Sequence, residues 1–352
     1  MKKYLSVMIQ VIIVIGFIFG VYIPDPATAA PTAENPVVLT FSYHAPPQAS
    51  LTKAILEPWA NDIEKATGGR VKIIRHPGGT LVKSADSYDA VATGLCDLAQ
   101  IDPEENPGRF PLTAINSLPF IYPNTEVAGV VAHQLLNKYC VKTELKEIKL
   151  MIMAPLHNAQ YLGRKKVAVL SDLKGMKLRS SGKIEANTIH ALGAVPVEVG
   201  TGELASALDK GTVDGCFFTF AGALAFGLKD VTQFRTVCNI FPRVFFIGMN
   251  KAAFDKLPED IQKIFAEYST VQATQRYAAA HMAMEKGAKG AIMGYDKKVG
   301  NPPMVVLSDA ERNKWKDACK SVWDEWVAET AGKGLPGKAM LDEALSLVEK
   351  TE

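Results

Sequence analysis

Several patterns on which metal sites and hydrolytic enzymes depend are missing from this chain of 352 residues. The six histidines form no H-E-x-x-H motif and no i, i+4 pair, and the five cysteines form no C-x-x-C pair. No G-x-S-x-G turn presents a nucleophilic serine. The glycine-rich segment 332–338 follows a predicted helix rather than a strand and precedes an alanine, so it does not fit a phosphate-binding loop. We therefore expect no metal ion and no cofactor.

The chain also lacks a strong charge imbalance. Its 39 Lys and Arg residues against 37 Asp and Glu residues give a formal net charge of +2. This balance gives no electrostatic basis for binding nucleic acid or an anionic membrane. The odd number of cysteines leaves two possibilities open, namely buried free thiols or a Cys216–Cys238 disulfide in an exported chain.

Long apolar runs are absent after the first 23 residues, and the N-terminus has the pattern of a secretory signal. Lys2 and Lys3 precede an apolar run over 5–23, and an A-x-A site of small residues ends at Ala29. This pattern predicts a signal peptide of residues 1–29, cleavage after Ala29 and export to the periplasm. The alternative is an uncleaved membrane anchor, for which the apolar run is long enough.

One arrangement of strands and helices occurs twice. Three strands separated by two helices are predicted over 37–101, and the pattern returns over 176–218. Two β-α-β-α-β units predict an α/β fold of two lobes, each a small sheet flanked by helices, with a ligand cleft between them. The apolar segments 149–154 and 243–249 are predicted strands at which the chain crosses between the lobes and forms a hinge.

These elements divide the mature chain into three parts. We expect a first lobe of residues 30–155 and 245–285, a second lobe of 156–244 and 286–308, and a C-terminal part of 309–352. A helical stretch from Glu259 to about residue 292 is expected to span both lobes, with Gly287 and Gly290 near its end. The C-terminal part is predicted to be a bracing helix and a tail, with a flexible segment over 332–337.

Arg179 ends the first strand of the second repeat, and open α/β sheets bind ligands beyond such strand ends. Its guanidinium matches a carboxylate through two parallel charge-assisted hydrogen bonds. The alternative is a surface arginine paired with a nearby acid such as Glu203. His44 and Asp102 follow strands of the first repeat, so they are further candidates for polar contacts in the cleft.

Three phenylalanines lie at the end of the second repeat. Because residues alternate between the two faces of a strand, Phe218 and Phe220 share one face and Phe217 takes the other. We expect at least one of them in the core. Phe218 is the better candidate for an apolar wall of the cleft because it lies nearer the end of the strand.

With these residues in view, the chain resembles the solute-binding subunits of tripartite ATP-independent periplasmic (TRAP) transporters. The most specific segment, S-D-L-K-G-M-K-L-R over 171–179, is similar to the family's D-L-K-G-x-K-x-R motif, whose arginine binds the substrate carboxylate. Segments 118–120 and 257–262 also resemble family signatures. The resemblance implies two α/β lobes, a long lobe-spanning helix and an organic-acid ligand. It also implies a small and a large membrane subunit that use an ion gradient to move the solute.

The sequence departs from the family's pattern at two places. Where many members carry Q-E-N after a D-G pair, with the asparagine on the ligand, this chain has Cys216-Phe217-Phe218. Where some members have a second arginine, this chain has Ala159. Both changes remove polar groups, so our hypothesis is a monocarboxylate with an apolar or aromatic body whose burial replaces the lost hydrogen bonds.

The predicted ligand contacts share a position near the cleft, with the arginine as the anchor: Arg179, Phe218, His44, Asp102, Tyr161 and Phe217. We expect a monomer. Two alternatives remain open at this point. One is an exported hydrolase that uses Ser180 of the S-x-x-K sequence ending at Lys183, and the other is a ligand sensor that signals to a receptor instead of feeding a transporter.

Overall fold

The computed structural model describes residues 30–106 and 108–351. The predicted signal peptide and its cleavage site at Ala29 lie outside the described residues. Within the described part of the chain, no helix is both long enough and apolar enough to cross a membrane.

Two separate β-sheets form the framework of the fold. The first has strand order β2-β1-β3-β10-β4, and the second has order β11-β9-β5-β8-β6-β7. The bounds are β1 Val37–Ser42, β2 Val71–His76, β3 Leu98–Ile101, β4 Ile148–Pro155, β5 Gln160–Gly163, β6 Lys177–Ser180, β7 Val195–Glu198, β8 Gly215–Phe218, β9 Phe234–Val237, β10 Val244–Asn250 and β11 Val305–Val306. We refer to the two sheets with their flanking helices as the first lobe and the second lobe. The predicted α/β fold with two sheets is confirmed.

Helices cover both sheets. The α-helices are α1 Glu57–Ala66, α2 Ser87–Thr93, α3 Thr125–Leu135, α4 Lys183–Ala191, α5 Leu204–Asp209, α6 Phe220–Ala225, α7 Leu228–Val231, α8 Lys251–Asp255, α9 Glu259–Glu267, α10 Val271–Val299, α11 Asp309–Ala318, α12 Lys320–Gly332 and α13 Gly337–Thr351. The 3₁₀ turns are Ser84–Asp86, Pro103–Glu105, Thr113–Ser117, Leu170–Leu173 and Thr201–Glu203, and π-helical turns occupy Thr52–Leu56 and Leu136–Cys140.

The repeated unit explains the topology of both sheets. In the first lobe β1 pairs in parallel with β2 and β3, and in the second β6 pairs in parallel with β7 and β8. Each lobe then gains antiparallel strands from elsewhere in the chain. One of these, β10, is buried at every residue because it lies between β3 and β4. A strand that is covered on both sides appears in the sequence as a continuous apolar run. For this reason segment 243–249 could be predicted as a strand from the sequence.

The chain crosses between the sheets twice, as predicted. It leaves β4 for β5 over residues 156–159, and it returns from β9 to β10 over residues 238–243. The two crossings are hydrogen-bonded to each other, since Leu156 N–H donates to the Arg243 carbonyl (2.7 Å) and Ala159 N–H to that of Phe241 (2.8 Å). They therefore form one two-stranded connection at the base of the cleft. The residue boundaries that we assigned to the lobes stay a prediction.

The long helix differs from the predicted stretch in two ways. It is interrupted over 268–270, where the Thr270 hydroxyl accepts the Ala273 N–H and begins α10 as its N-cap. It then runs through Gly287 and Gly290 to Val299. Each exposed glycine destabilises a helix by about 1 kcal/mol relative to alanine. The contacts of α10 with both lobes outweigh this cost. Near the start of α10, Tyr277 packs in the core of the first lobe, and farther along its length Ile292 packs in that of the second.

The C-terminal region contains three helices rather than the single bracing helix that was predicted. Helix α11 places Trp315 in the core of the second lobe, and α12 places Trp326 in a core of the first. These helices thus pack on both lobes. The segment after Gly332 is a short turn followed by α13, in which Met340 and Ala344 are buried against the first lobe. All five cysteines are buried free thiols in the structure.

Candidate functional site

A cavity lies between the two lobes, and the empty space within it and across its opening to solvent is about 870 Å³. Aromatic side chains form much of its wall, and all but one of them come from the second lobe or the crossing segments. They are Phe217, Phe218, Phe226, Phe241 and Phe245. Ala159 lies in the same wall. The cavity is therefore suited to an apolar ligand body.

The first lobe contributes an acidic turn to the cavity wall, formed by Asp102, Glu104 and Glu105. The Asp102 carboxylate accepts the backbone N–H of Glu104 (3.0 Å) and so caps the turn Pro103–Glu105. Burial raises the pKa of Glu104 to about 7, although the positive charge of Arg243 opposes the shift. The Glu104 carboxyl therefore exchanges its proton in the range around neutral pH.

Arg179 lies at the end of β6 as predicted, but its side chain is only 1% exposed. Its Nε donates to the Val199 carbonyl (3.0 Å) and its Nη2 to Thr201 Oγ1 (2.9 Å). Its Nη1 lies 3.5 Å from Glu185 Oε2, so its ion-pair partner is Glu185 and not the exposed Glu203. Among the described residues, Glu185 and Thr201 line the cavity while Arg179 does not. The guanidinium is therefore held directly behind the wall.

The Phe218 ring forms the part of the wall next to this arginine. Its centroid is 6.0 Å from Arg179 Cζ, and the ring packs edge-on against Phe226 at 5.9 Å. The ring lies across Gly222, where a Cβ would come within 2.5 Å of Phe218 Cε1. A glycine is needed there because the first turn of α6 supports the ring.

Phe217 and Phe218 point to opposite faces of β8, as the alternation predicted, and pack in different core clusters. Phe217 reaches the cavity from the core of the second lobe, where its ring packs edge-on against Tyr161 (6.2 Å) and Trp315 (6.3 Å). Tyr161 itself is fully buried, and its hydroxyl donates to the Lys165 carbonyl (2.8 Å). Tyr161, like Arg179, is not among the described residues that line the cavity, and its role as a ligand contact stays a prediction.

His44 lines the cavity from the first lobe, and its tautomer can be assigned. The Gln100 amide oxygen accepts the Ala45 N–H (3.3 Å), so the Gln100 NH₂ group faces His44 Nε2 at 3.1 Å and donates to it. The ring proton must then be on Nδ1. Burial lowers the pKa of His44, so the ring stays neutral at pH 7. Its buried Nδ1–H has no partner among the described residues and is a donor available for a ligand.

Arg243 was not predicted from the sequence, yet it is the one arginine or lysine among the described residues that lines the cavity. Its Nη2 donates to Asp102 Oδ2 (2.7 Å) and its Nη1 to Ser181 Oγ (2.7 Å), so it joins the two lobes. The surrounding carboxylates, Asp102 first, raise the pKa of Arg243 despite its burial. Its position directly before β10, at a predicted crossing, was the only sequence signal for it.

The structure also bears on the candidate enzyme features. The Lys183 ammonium pairs with Glu329 Oε2 at 2.6 Å on the surface, so it does not serve Ser180 as a base. No group of three or more His, Cys, Asp and Glu side chains in the described part of the chain could hold a metal ion.

Comparison with known proteins identifies the family. Residues 41–330 match the model of the bacterial extracellular solute-binding protein family 7. The chain belongs to this family. A solute-binding protein of Albidiferax ferrireducens is 25% identical over 284 residues, which are 79% of this chain and 82% of the relative. The C4-dicarboxylate-binding periplasmic protein DctP of Rhodobacter capsulatus is 25% identical over 322 residues, which are 91% of this chain and 95% of DctP.

Solved structures of TRAP solute-binding proteins share the fold. One from Bordetella bronchiseptica with bound (R)- and (S)-mandelate is 26% identical, with a TM-score of 0.81 over 90% of this chain and 100% of the other. One from Rhodoferax ferrireducens in complex with copurified benzoate is 24% identical, with a TM-score of 0.84 over 89% of this chain and 98% of the other. The predicted resemblance is confirmed: this chain is a TRAP solute-binding protein, a class that binds small organic acids in the periplasm.

Proposed function

We propose that this protein captures a small monocarboxylate with an aromatic or branched apolar body and delivers it to the membrane subunits of a TRAP transporter. The observation that carries the proposal is the cavity wall of five phenylalanines close to a buried arginine. The relative from Bordetella bronchiseptica, which binds an aromatic hydroxy acid, supports this ligand class.

Arg179 is assigned the ligand carboxylate. A guanidinium fixed by Val199 and Thr201 is pre-oriented, and with a third N–H directed at Glu185, two of its five N–H groups have no partner among the described residues. Such charge-assisted bonds contribute roughly 1.5–3 kcal/mol each when they are sheltered from water. Phe218 and Phe217 pack on the ligand body, and the Nδ1–H of His44 donates to an acceptor on the ligand. Asp102 acts through Arg243, which it holds in place.

The test is a thermal-shift and calorimetry panel on the protein without residues 1–29. The panel contains benzoate, phenylacetate, mandelate, a branched-chain acid, succinate and a sugar acid. A ligand at a hundred times its dissociation constant stabilises the fold by about 2.7 kcal/mol, which raises Tm by several degrees. We expect the aromatic or branched acids to bind and Arg179→Gln to weaken them at least tenfold.

The results with the polar acids distinguish an error in the proposed ligand class from an error in the proposed function. Tight binding of succinate or the sugar acid alone would retain an organic-acid binding protein and reject the aromatic class. Unchanged affinity in Arg179→Gln would place the carboxylate elsewhere in the cavity. Binding of no acid by the folded protein would reject the proposed function.

The remaining expectations concern export and partners. We propose that the signal peptide is removed after Ala29, that the mature protein is a monomer, and that it has no catalytic activity. Mass spectrometry of the exported protein should then give a chain that begins at Ala30. Uptake of labelled ligand by cells that express the protein with both membrane subunits, and not without it, would favour transport over sensing.

A further inference from the structure

Arg243 is a cationic side chain of the cavity wall, and a role for it in ligand binding rests on the proposed function. Arg243 ends the second crossing segment, and its carbonyl oxygen is held by Leu156 N–H of the first crossing at 2.7 Å. The backbone of Arg243 is therefore fixed at the point where the lobes join. Its side chain is 17% exposed and lines the cavity, whereas Arg179 is 1% exposed and stands behind the wall.

The two guanidinium groups share one carboxylate oxygen. Glu185 Oε2 lies 3.5 Å from Nη1 of Arg179 and 3.7 Å from Nη1 of Arg243. The same oxygen also accepts the Ser181 hydroxyl (2.6 Å) and the Ser181 N–H (2.9 Å). Because both arginines reach a single oxygen, they are close enough together for another carboxylate to contact both.

Arg243 also retains unused donors. A guanidinium has five N–H groups, and the hydrogen bonds of Arg243 to side chains use one on Nη1 for Ser181 and one on Nη2 for Asp102. We propose that Arg243 is the second carboxylate-binding residue of this site and that Arg179 and Arg243 bind the single ligand carboxylate together. Arg243 thereby supplies, from the hinge, a positive charge that the alanine at position 159 does not.

The rest of the wall limits the ligand to one carboxylate. Asp102, Glu104, Glu105 and Glu185 all line the cavity, whereas Arg243 is the one arginine or lysine among the described lining residues. A second ligand carboxylate would therefore face acidic side chains without a cation of its own. In this arrangement both arginines bind one ligand carboxylate, and acidic side chains surround the rest of the ligand. We therefore expect monocarboxylates to bind better than dicarboxylates of similar length.

The experiment compares two variants that break the same ion pair. Arg243→Gln removes the guanidinium, and Asp102→Asn removes its 2.7 Å partner but keeps the guanidinium. Affinity is measured by calorimetry for benzoate, phenylacetate and mandelate. We expect Arg243→Gln to weaken these acids at least tenfold and Asp102→Asn to weaken them less, since it keeps the guanidinium and removes only the carboxylate that positions it.

The double variant Arg243→Gln/Asp102→Asn removes both charges together, so it stays informative if the single arginine variant does not fold. It should lose affinity as Arg243→Gln does. Arg276→Gln, which breaks an exposed ion pair with Asp62, is the control and should match the wild type.

Two results would overturn the role of Arg243 while the proposed function stands. One is an unchanged affinity in Arg243→Gln, with Arg179→Gln still impaired. The other is an equal loss in Arg243→Gln and Asp102→Asn, which would make Arg243 a connection between the lobes and not a ligand contact. If the wild type binds none of these acids, the proposed function fails and this inference fails with it.

Discussion

Gly182 of the second lobe lies directly against the backbone of Glu104 in the first. A Cβ at Gly182 would be 2.8 Å from the Glu104 carbonyl oxygen, which is closer than real Cβ contacts allow. The φ of Gly182 is −172°, an extended value that any residue adopts, so the requirement for glycine is one of space. The observed approach of the two lobes therefore depends on the absence of a side chain at this position.

Gly182→Ala is expected to weaken ligand binding at least tenfold, because the added methyl group disfavours the closed arrangement that contacts the ligand from both sides. The free energy of unfolding of the ligand-free protein should change by less than about 1 kcal/mol, because each lobe keeps its own core. Calorimetry and urea unfolding measure the two quantities.

Gly287→Ala is the matched control for that variant. Gly287 lies on the exposed face of α10, and a Cβ there would meet no atom within 4 Å. The affinity of the Gly287→Ala variant for ligand should equal that of the wild type. Its free energy of unfolding should rise by up to about 1 kcal/mol, because alanine has the higher helix propensity. Wild-type affinity in Gly182→Ala as well would show that binding does not need this close approach.

The acidic turn predicts a pH dependence of binding. A ligand carboxylate near Glu104, whose pKa is raised to about 7, favours the protonated form of that side chain. Binding then takes up a proton, so affinity is highest below pH 7 and falls as the pH rises through and above it, by at most about tenfold per pH unit for one proton. Calorimetry in two buffers of different ionisation enthalpy at each pH measures the proton uptake.

Glu104→Gln imitates the protonated side chain and should make affinity nearly constant between pH 6 and 8. The neighbouring histidines do not supply an alternative source of this effect, because burial lowers the pKa of His44 and lowers that of His281 to about 4. A pH dependence that persists unchanged in Glu104→Gln would contradict the assignment.

The sequence predicted the framework better than the site. The two parallel units and the crossings came from apolar runs and their order, which are local signals. Arg179 was placed by the rule for strand ends. Arg243 and the contact of Gly182 with Glu104 depend instead on how close the two lobes come, and no local pattern records that distance.

Helix ends were predicted less well for physical reasons that the structure shows. The break before α10 depends on a side-chain cap by Thr270, and its continuation past Gly287 depends on tertiary contacts that override propensity. The helix that follows the glycine-rich segment 332–337 was not predicted. Met340, Leu341 and Ala344, spaced at i, i+1 and i+4, were the signal of a packed helix there.

Glu285 of α10 supports the wall of the cavity by capping α6. Its carboxylate accepts the N–H groups of Phe220 (2.7 Å) and Ala221 (2.8 Å), which a helix leaves unpaired at its start. Glu285→Ala leaves two buried donors without partners, at roughly 1–3 kcal/mol each, so we expect it to destabilise the protein by about 2–4 kcal/mol.

Glu285→Gln keeps one carbonyl acceptor and should cost less than half as much. Burial raises the pKa of Glu285, while its hydrogen bonds from the backbone N–H groups of Ala221 and Phe220 oppose that shift. Urea unfolding at pH 7 distinguishes the two variants. A loss below about 0.5 kcal/mol in Glu285→Ala would mean that water replaces the carboxylate and that the cap is dispensable.

Farther along the same helix, Asp296 forms a buried ion pair with Arg235 of β9. The two side chains are 6% and 0% exposed, and Arg235 Nη2 lies 3.1 Å from Asp296 Oδ1. Arg235→Met should reduce the free energy of unfolding by about 3–5 kcal/mol, because it leaves a buried carboxylate with Asn301 Nδ2 (2.9 Å) as its remaining recorded partner.

The double variant Arg235→Met/Asp296→Leu tests whether the loss comes from the unpaired charge or from the pair itself. Replacing a buried ion pair by apolar side chains of similar volume is often neutral or stabilising, so the double variant should recover most of the stability. Both variants should bind ligand as the wild type does, since neither residue lines the cavity among the described residues. If the double variant is as unstable as Arg235→Met, the ion pair contributes to stability in its own right, and α10 is held on the second lobe by charge as well as by packing.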